Sequence, residues 1–110
     1  MKVSIVDVND PANSDEMVCN NRDELMLLLI SQASFHDNHH KMFKQPTQFY
    51  NHVKNEMSDL DILKELDYDY GEFLDRRGTS FKDMISLLEN KTVTVEDRIF
   101  DNTQFIYSIV

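Results

Sequence analysis

Residues 59–75 carry the strongest pattern in this chain, and the spacing of their acidic and apolar side chains fits an α-helix. At 100° per residue, the apolar residues fall on one face, and most of the acidic residues fall on a stripe along the other. The segment therefore predicts an amphipathic helix with one buried side and one acidic side. The apolar face comprises Leu60, Ile62, Leu63, Leu66, Tyr70, Phe73 and Leu74, and the acidic stripe comprises Asp61, Glu65, Asp69, Glu72 and Asp75.

Most of the net negative charge of the chain lies in the same segment. Residues 59–75 contain seven carboxylates and a single base, Lys64, so they carry an excess of six negative charges, against nine for all 110 residues. Proteins bind nucleic acids and anionic membranes mainly through Lys and Arg side chains that neutralise phosphates. The composition therefore argues against direct binding to nucleic acid or to a membrane, and it favours a basic protein as the partner.

The length and the cysteine content limit the class of protein. A chain of 110 residues forms one domain, here 1–110, that can bury enough surface to fold without disulfide bonds. Cys19 is the only cysteine, and the apolar run that follows Met1 is short, which fits a reduced intracellular protein. The longest apolar run, 25–30, is far shorter than the roughly 20 residues that span a membrane. We therefore expect a soluble cytoplasmic protein.

The N-terminal residues predict a strand followed by irregular chain. Residues 2–8 are rich in β-branched side chains, which are typical of a strand, and a turn is expected at 9–11. Residues 13–20 have no clear period, so a loop is expected there. A short strand at 17–19 is the alternative.

Four helices are expected in the middle of the chain. Asn21 and Glu24 resemble a capping box, which predicts that the first helix begins at Arg22 and places the apolar run at the centre of the fold. Pro46, Ser58 and Ser80 mark the starts of the later helices. Weak helix formers near Gly71 predict a break in the acidic helix, and residues 76–78 mark its end.

After Asn90 the period of the apolar pattern changes from 3.6 to 2, which predicts strands. Residues 92–95 and 104–110 alternate, so a turn of an antiparallel hairpin is expected at 101–103. The predicted order is β-α-α-α-α-β-β, an α+β fold. In it the strand at 2–8 joins the hairpin in a small, three-stranded, mostly antiparallel sheet that helices cover on one side.

The acidic stripe is the main candidate for function. From Asp61 to Asp75 it would extend about 21 Å, which is long enough to present a row of charges to a basic groove and to imitate a nucleic-acid backbone. Tyr68 or Tyr70 would supply an aromatic anchor, a residue type enriched at binding hot spots. The sequence thus predicts a small non-enzymatic inhibitor or antagonist of a nucleic-acid-acting protein, a function typical of small acidic proteins of phages and mobile elements.

A solvated face is the alternative interpretation of the stripe, since carboxylates are ordinary residues on exposed helix surfaces. Like charges four residues apart, such as Asp61, Glu65 and Asp69, destabilise a helix by roughly 0.2–0.5 kcal/mol per pair. A surface selected for stability alone would mix the two signs of charge. The spacing therefore favours a function in binding.

No complete metal site or catalytic motif is predicted. His36, His39 and His40 are the nearest candidates for metal ligands, and a metal-binding domain that uses them is a further functional hypothesis. Their spacing alone does not supply the three or four ligands of a zinc site. An EF-hand loop with Gly71 at position 6 would need a ligand at position 1, where Leu66 stands. Neither a phosphate-binding glycine loop nor a nucleophile turn occurs, so we expect no enzyme activity and no cofactor.

A self-associating structural or accessory subunit is the second functional hypothesis. The C-terminal strand would pair with another copy of the chain to form a homodimer if it lay at an edge of the sheet. The acidic stripe would then only keep the protein in solution. Oligomers of this kind would be insensitive to salt, whereas binding through the stripe would weaken as salt is added.

Overall fold

The computed structural model describes residues 1–33, 35, 42–71, 79–97 and 103–110. In these residues, four helices follow one pair of strands and precede a second pair. No helix in these ranges is long and apolar enough to cross a membrane. The strands are β1 (Lys2–Asp7), β2 (Asp10–Val18), β3 (Thr92–Asp97) and β4 (Thr103–Ile109), and the helices are α1 (Arg22–Gln32), α2 (Pro46–Val53), α3 (Asp59–Tyr70) and α4 (Phe81–Asn90).

The strands form one antiparallel sheet in the order β2-β1-β4-β3. The α+β class is confirmed, but the prediction of three strands and its element order are wrong. Residues 10–18, expected to form a turn and a loop, make a fourth strand that pairs with β1. Nearly all side chains of β2 are exposed on both faces of the sheet, so the alternation of apolar and polar residues that identifies a half-buried strand is missing.

The C-terminal strand β4 lies inside the sheet, between β1 and β3. The condition for the predicted homodimer, an edge position for this strand, is therefore not met, and the edges are β2 and β3. Strand β4 begins at Thr103, which the sequence places in the hairpin turn. Residues 98–102, which complete that connection, lie outside the described residues.

One face of the sheet and the apolar faces of the helices enclose the core. The sheet contributes Val3, Val95 and Tyr107, with Phe105 and Ile109 packed beside them. The apolar face predicted for α3 is confirmed at Ile62, Leu63, Leu66 and Tyr70, whereas Leu60 is half-buried and Phe73 and Leu74 lie outside the described residues. The main buried side chains of the helices are Leu25, Met26, Leu29 and Ile30 of α1, Tyr50 and Val53 of α2, Ile62, Leu63, Leu66 and Tyr70 of α3, and Phe81, Met84 and Leu87 of α4.

The helices begin where capping residues stand in the sequence. The side chain of Asn21 accepts a hydrogen bond from the backbone N–H of Glu24, and α1 starts at the next residue after Asn21, as predicted. Ser58 and Ser80 cap α3 and α4 in the same way, and Pro46 is the first residue of α2. These contacts satisfy N–H groups that have no partner inside the helix.

The ends of α3 and α4 depend on two backbone positions. Helix α3 ends at Gly71, where a β-carbon would lie 2.5 Å from the carbonyl oxygen of Asp67, so glycine fits best. Helix α4 ends at Lys91, whose φ of 66° turns the chain into β3. The sequence predicts a break near Gly71 and an end at 76–78, and the described helix α3 ends at Tyr70. Residues 76–78, the other predicted end signal, lie outside the described residues.

Arg22 joins α1 to the turn between α2 and α3 and to α3 itself. Its Nε donates to Oδ1 of Asp59 at 2.5 Å, and this hydrogen bond raises the pKa of Arg22. Its other nitrogens donate to the backbone carbonyls of Lys54 and Met57. The guanidinium carbon also lies 5.9 Å from the centroid of the Tyr50 ring. These contacts fix the start of α3 against α1 and α2.

Asp23 completes this polar contact between the helices. Its carboxylate accepts hydrogen bonds from Oη of Tyr50 at 2.5 Å and from Nζ of Lys54 at 3.0 Å, and both bonds lower the pKa of Asp23. Burial of the Tyr50 ring, together with the hydrogen bond to Asp23, raises the pKa of Tyr50 to about 12. The fold therefore stabilises the neutral form of the Tyr50 hydroxyl.

We expect Arg22→Gln to lower the free energy of unfolding by about 1–2 kcal/mol, because it removes a charge-assisted hydrogen bond and contacts to backbone carbonyls. Arg22→Lys should be nearly as damaging, since one ammonium cannot reach three acceptors in different directions. Urea unfolding followed by circular dichroism measures both effects. Lys2→Gln is the control, because Lys2 forms only an exposed pair with Glu16 at 3.7 Å. A native-like Arg22→Lys variant would show that charge alone holds the contact.

Stability should decrease as the pH rises from about 10 to about 12, because the Tyr50 hydroxyl ionises at its ordinary pKa in the unfolded chain but only near 12 in the folded protein. A raised folded pKa gives stability that is complete below the unfolded pKa and is lost above it. Tyr50→Phe should remove this part of the decrease, whereas Tyr68→Phe, at an exposed ring, should not. Urea unfolding across this pH range tests the prediction, and equal slopes for the native chain and Tyr50→Phe would contradict it.

Candidate acidic protein-binding surface

The solvent-facing side of α3 carries the part of the acidic stripe that the structure describes. Asp61 and Glu65 are exposed, and Asp69 is half-buried. These three carboxylates follow one another every four residues, so they span about 12 Å along the helix axis. The other two residues of the stripe, Glu72 and Asp75, lie outside the described residues. We call the exposed residues Asp61, Glu65 and Tyr68, together with the half-buried Asp69, the α3 face.

Burial of the opposite side of α3 fixes which of its side chains face solvent. Ile62, Leu63 and Leu66 are completely buried, and they hold the helix against the rest of the core. The α3 face therefore cannot turn inward without exposing three large apolar side chains. The sequence pattern placed both sides of α3 correctly over the described length.

The two tyrosines proposed as anchors have different surroundings. The side chain of Tyr68 is 82% exposed, whereas that of Tyr70 is 2% exposed. The hydroxyl of Tyr70 donates to the backbone carbonyl of Phe43, and its ring meets the edge of Phe35, with 6.2 Å between the ring centroids. Tyr70 thus belongs to the core, and Tyr68 is the one of the pair whose ring a partner can reach.

The carboxylates of α3 differ in their ion pairs. Asp59, at the start of the helix, pairs with Arg22 and turns away from the α3 face. Of the ion pairs between described residues, none involves Asp61 or Glu65. Lys64 is exposed beside the stripe and is the single base within α3. The α3 face therefore keeps a predominantly negative field.

Acidic residues at the C-terminal end of α3 destabilise the helix through its dipole. Asp59 and Asp61 in the first turn interact favourably with the positive end of the helix dipole. Asp67 and Asp69 lie in the last turn, which contains no basic residue, so they face the negative end. Repulsion along Asp61, Glu65 and Asp69 adds to this cost. The helix dipole and like-charge repulsion therefore do not favour acidic residues at Glu65 and Asp67.

The candidate metal ligands His36, His39 and His40 lie outside the described residues. Within the described ranges, no group of three or more His, Cys, Asp or Glu side chains could hold a metal ion. Cys19 is buried. The ring of His52 packs against Phe43, with 5.1 Å between the ring centroids.

Comparisons of the chain with protein-family models, with curated proteins and with solved structures find no match. The assignment of a function therefore depends on the residues and contacts of the chain itself. Among the described residues, the α3 face is the surface that combines several carboxylates with an exposed aromatic ring on one rigid element.

We expect Glu65→Gln to raise the free energy of unfolding by about 0.5 kcal/mol, because Glu65 lies four residues from both Asp61 and Asp69 and its neutralisation removes two repulsive pairs. Glu65→Lys should raise it further, since one of the new pairs has the favourable order, acid before base. Urea unfolding at low ionic strength measures the change, and the gain should shrink as salt is added. A loss of stability in both variants would show that Glu65 makes a contact that outweighs repulsion.

Proposed function

We propose that this protein is a non-enzymatic binding module whose α3 face occupies a basic site on another protein. One observation carries the proposal: the buried side of α3 holds Asp61 and Glu65 in solvent, near the exposed Tyr68, although like charges four residues apart repel each other. Positions that cost stability and contact solvent are those where a binding function explains the residue choice.

The rigidity of α3 favours this function. Ile62, Leu63 and Leu66 on its apolar side are fully buried, its start is capped by Ser58, and Arg22 binds both Asp59 and the turn before the helix. The backbone that carries these carboxylates is therefore already ordered before a partner binds. Binding would cost little backbone conformational entropy of α3. The α3 face can act as a preformed surface.

The chemistry of the α3 face indicates the class of partner. A row of carboxylates about 12 Å long complements a groove lined with Lys and Arg, such as one that binds nucleic-acid phosphates. Complementary charges speed association and exclude acidic competitors, and the interaction weakens with salt. Tyr68 would stack on a guanidinium or fill a pocket at the centre of the contact. We therefore propose an inhibitor or antagonist of a nucleic-acid-acting protein.

We expect the triple variant Asp61→Asn, Glu65→Gln, Asp69→Asn to lose its partner without loss of fold. The matched control is Glu56→Gln, Glu89→Gln, Glu96→Gln, which removes the same amount of charge from exposed residues elsewhere. Affinity capture from an extract of the source cells, followed by mass spectrometry, compares the two variants with the native chain at low and moderate salt. The native chain and the control should retain a basic, nucleic-acid-binding protein that the triple variant does not retain.

The captured protein then gives a direct test of antagonism. The native chain should displace labelled duplex DNA or RNA from it, the triple variant should not, and Tyr68→Ala should do so at least tenfold less well. Equal capture by the native chain and the triple variant would overturn the proposal. Salt-insensitive oligomers of all variants would instead favour the self-associating subunit.

A further inference from the structure

Strand β2 contributes a single half-buried side chain, Met17, to the core. Of its nine residues, Met17 alone is half-buried, and the other eight are exposed. Its partner in the sheet is β1, and β2 stands at the end of the strand order. The strand therefore gains stability mainly from its backbone pairing with β1, not from apolar burial. A long, exposed strand of this kind is where another chain can add to a sheet.

The register of the sheet shows which backbone groups of β2 are open. The N–H of Cys19 donates to the carbonyl of Met1 at 2.9 Å. Because hydrogen-bonded pairs alternate along an antiparallel ladder, Met17 and Asp15 also point their backbone groups toward β1, opposite Val3 and Ile5. Ser14, Glu16 and Val18 occupy the alternate positions. Their N–H and C=O groups point away from β1, and no other described strand pairs with them.

The side chains of β2 determine what can use this edge. Natural edges are blocked by proline, by lysine, by bulges or by short length. The one proline of β2, Pro11, and the register irregularity opposite Val6 and Asp7 both lie toward its start, so the regular open edge runs from Ser14 to Val18. From there to its end the charged side chains are Asp15 and Glu16, on opposite faces of the strand. Glu16 is partly neutralised by the exposed Lys2. The open edge is thus acidic on both faces.

We propose that the outer edge of β2 binds an extended, basic segment of another protein by strand addition. The backbone of Ser14, Glu16 and Val18 would supply the hydrogen bonds, and Asp15 and Glu16 would select Lys or Arg side chains on the added strand. A second copy of this chain fits poorly, because antiparallel self-pairing through the three open residues sets Glu16 opposite Glu16 of the second copy. This site lies outside the α3 face and does not depend on it.

The probe for the test is a labelled eight-residue peptide of alternating lysine and valine, blocked at both ends. A second probe has the same sequence with N-methylated backbone nitrogens at its four central residues, which leaves its charge unchanged but removes the N–H groups that either pairing register would use. Fluorescence anisotropy at low salt measures the binding of each probe to the native chain. Amide hydrogen exchange measures whether the N–H groups of Ser14, Glu16 and Val18 become protected.

The deciding variant is Ser14→Pro, which removes one outward N–H but leaves the pairing with β1 and the net charge unchanged. Thr94→Pro is the matched control on the opposite edge. The N–H of Ile109 donates to the carbonyl of Lys91, so by the same alternation Thr94 points away from β4. Thermal unfolding confirms that both variants are folded.

Strand addition predicts that Ser14→Pro and the N-methylated probe each weaken binding at least fivefold, whereas Thr94→Pro changes it less than twofold. Slower exchange at the three outward amides would support the proposal. Native affinity in Ser14→Pro, loss in Thr94→Pro, or dimers of the native chain that Ser14→Pro dissociates would each overturn it. Loss in the Asp61, Glu65, Asp69 variant together with retention in Ser14→Pro would place the probe on the α3 face, which overturns this inference but supports the proposed function.

Discussion

Burial of the apolar side of α3 is the constraint on which the acidic surface depends. Ile62, Leu63 and Leu66 are fully buried, and returning each to water would cost roughly 1.5–3 kcal/mol. Repulsion between carboxylates four residues apart costs roughly 0.2–0.5 kcal/mol per pair. Apolar burial is therefore several times larger than the repulsion, and it keeps Asp61 and Glu65 in a row that electrostatics alone would break.

The contact with Arg22 separates the acidic residues of α3 into one that stabilises the fold and others that face solvent. Asp59 pairs with Arg22 and serves the fold, because the guanidinium also binds the carbonyls of the turn before α3. Asp61 and Glu65, within the next two turns, have no such cation among the described ion pairs. One helix thus contains a structural carboxylate and a set of solvent-facing carboxylates, and position on the helix separates them.

The sequence predicted the helices and the described part of the acidic stripe because apolar spacing and N-caps such as Asn21, Ser58 and Ser80 are local signals. It did not predict β2, because a strand that is polar on both faces has no alternation and depends on pairing with β1, a contact between distant backbone groups. The burial of Tyr70 could have been predicted, because the sequence pattern puts this residue on the apolar side of the helix. The open edge of β2 required the strand order.

The α3 face and the edge of β2 would act on a partner by different physical means. Charges on α3 form a long-range field that steers a basic surface toward the protein and fades with salt. The edge of β2 offers short, directional hydrogen bonds that salt screens little but that need an extended chain in one register. If one partner carries both a basic groove and a basic extended segment, the field would set mainly the association rate, and the strand pairing would set mainly the dissociation rate. Neutralising α3 would then slow association, whereas blocking β2 would shorten the lifetime of the complex.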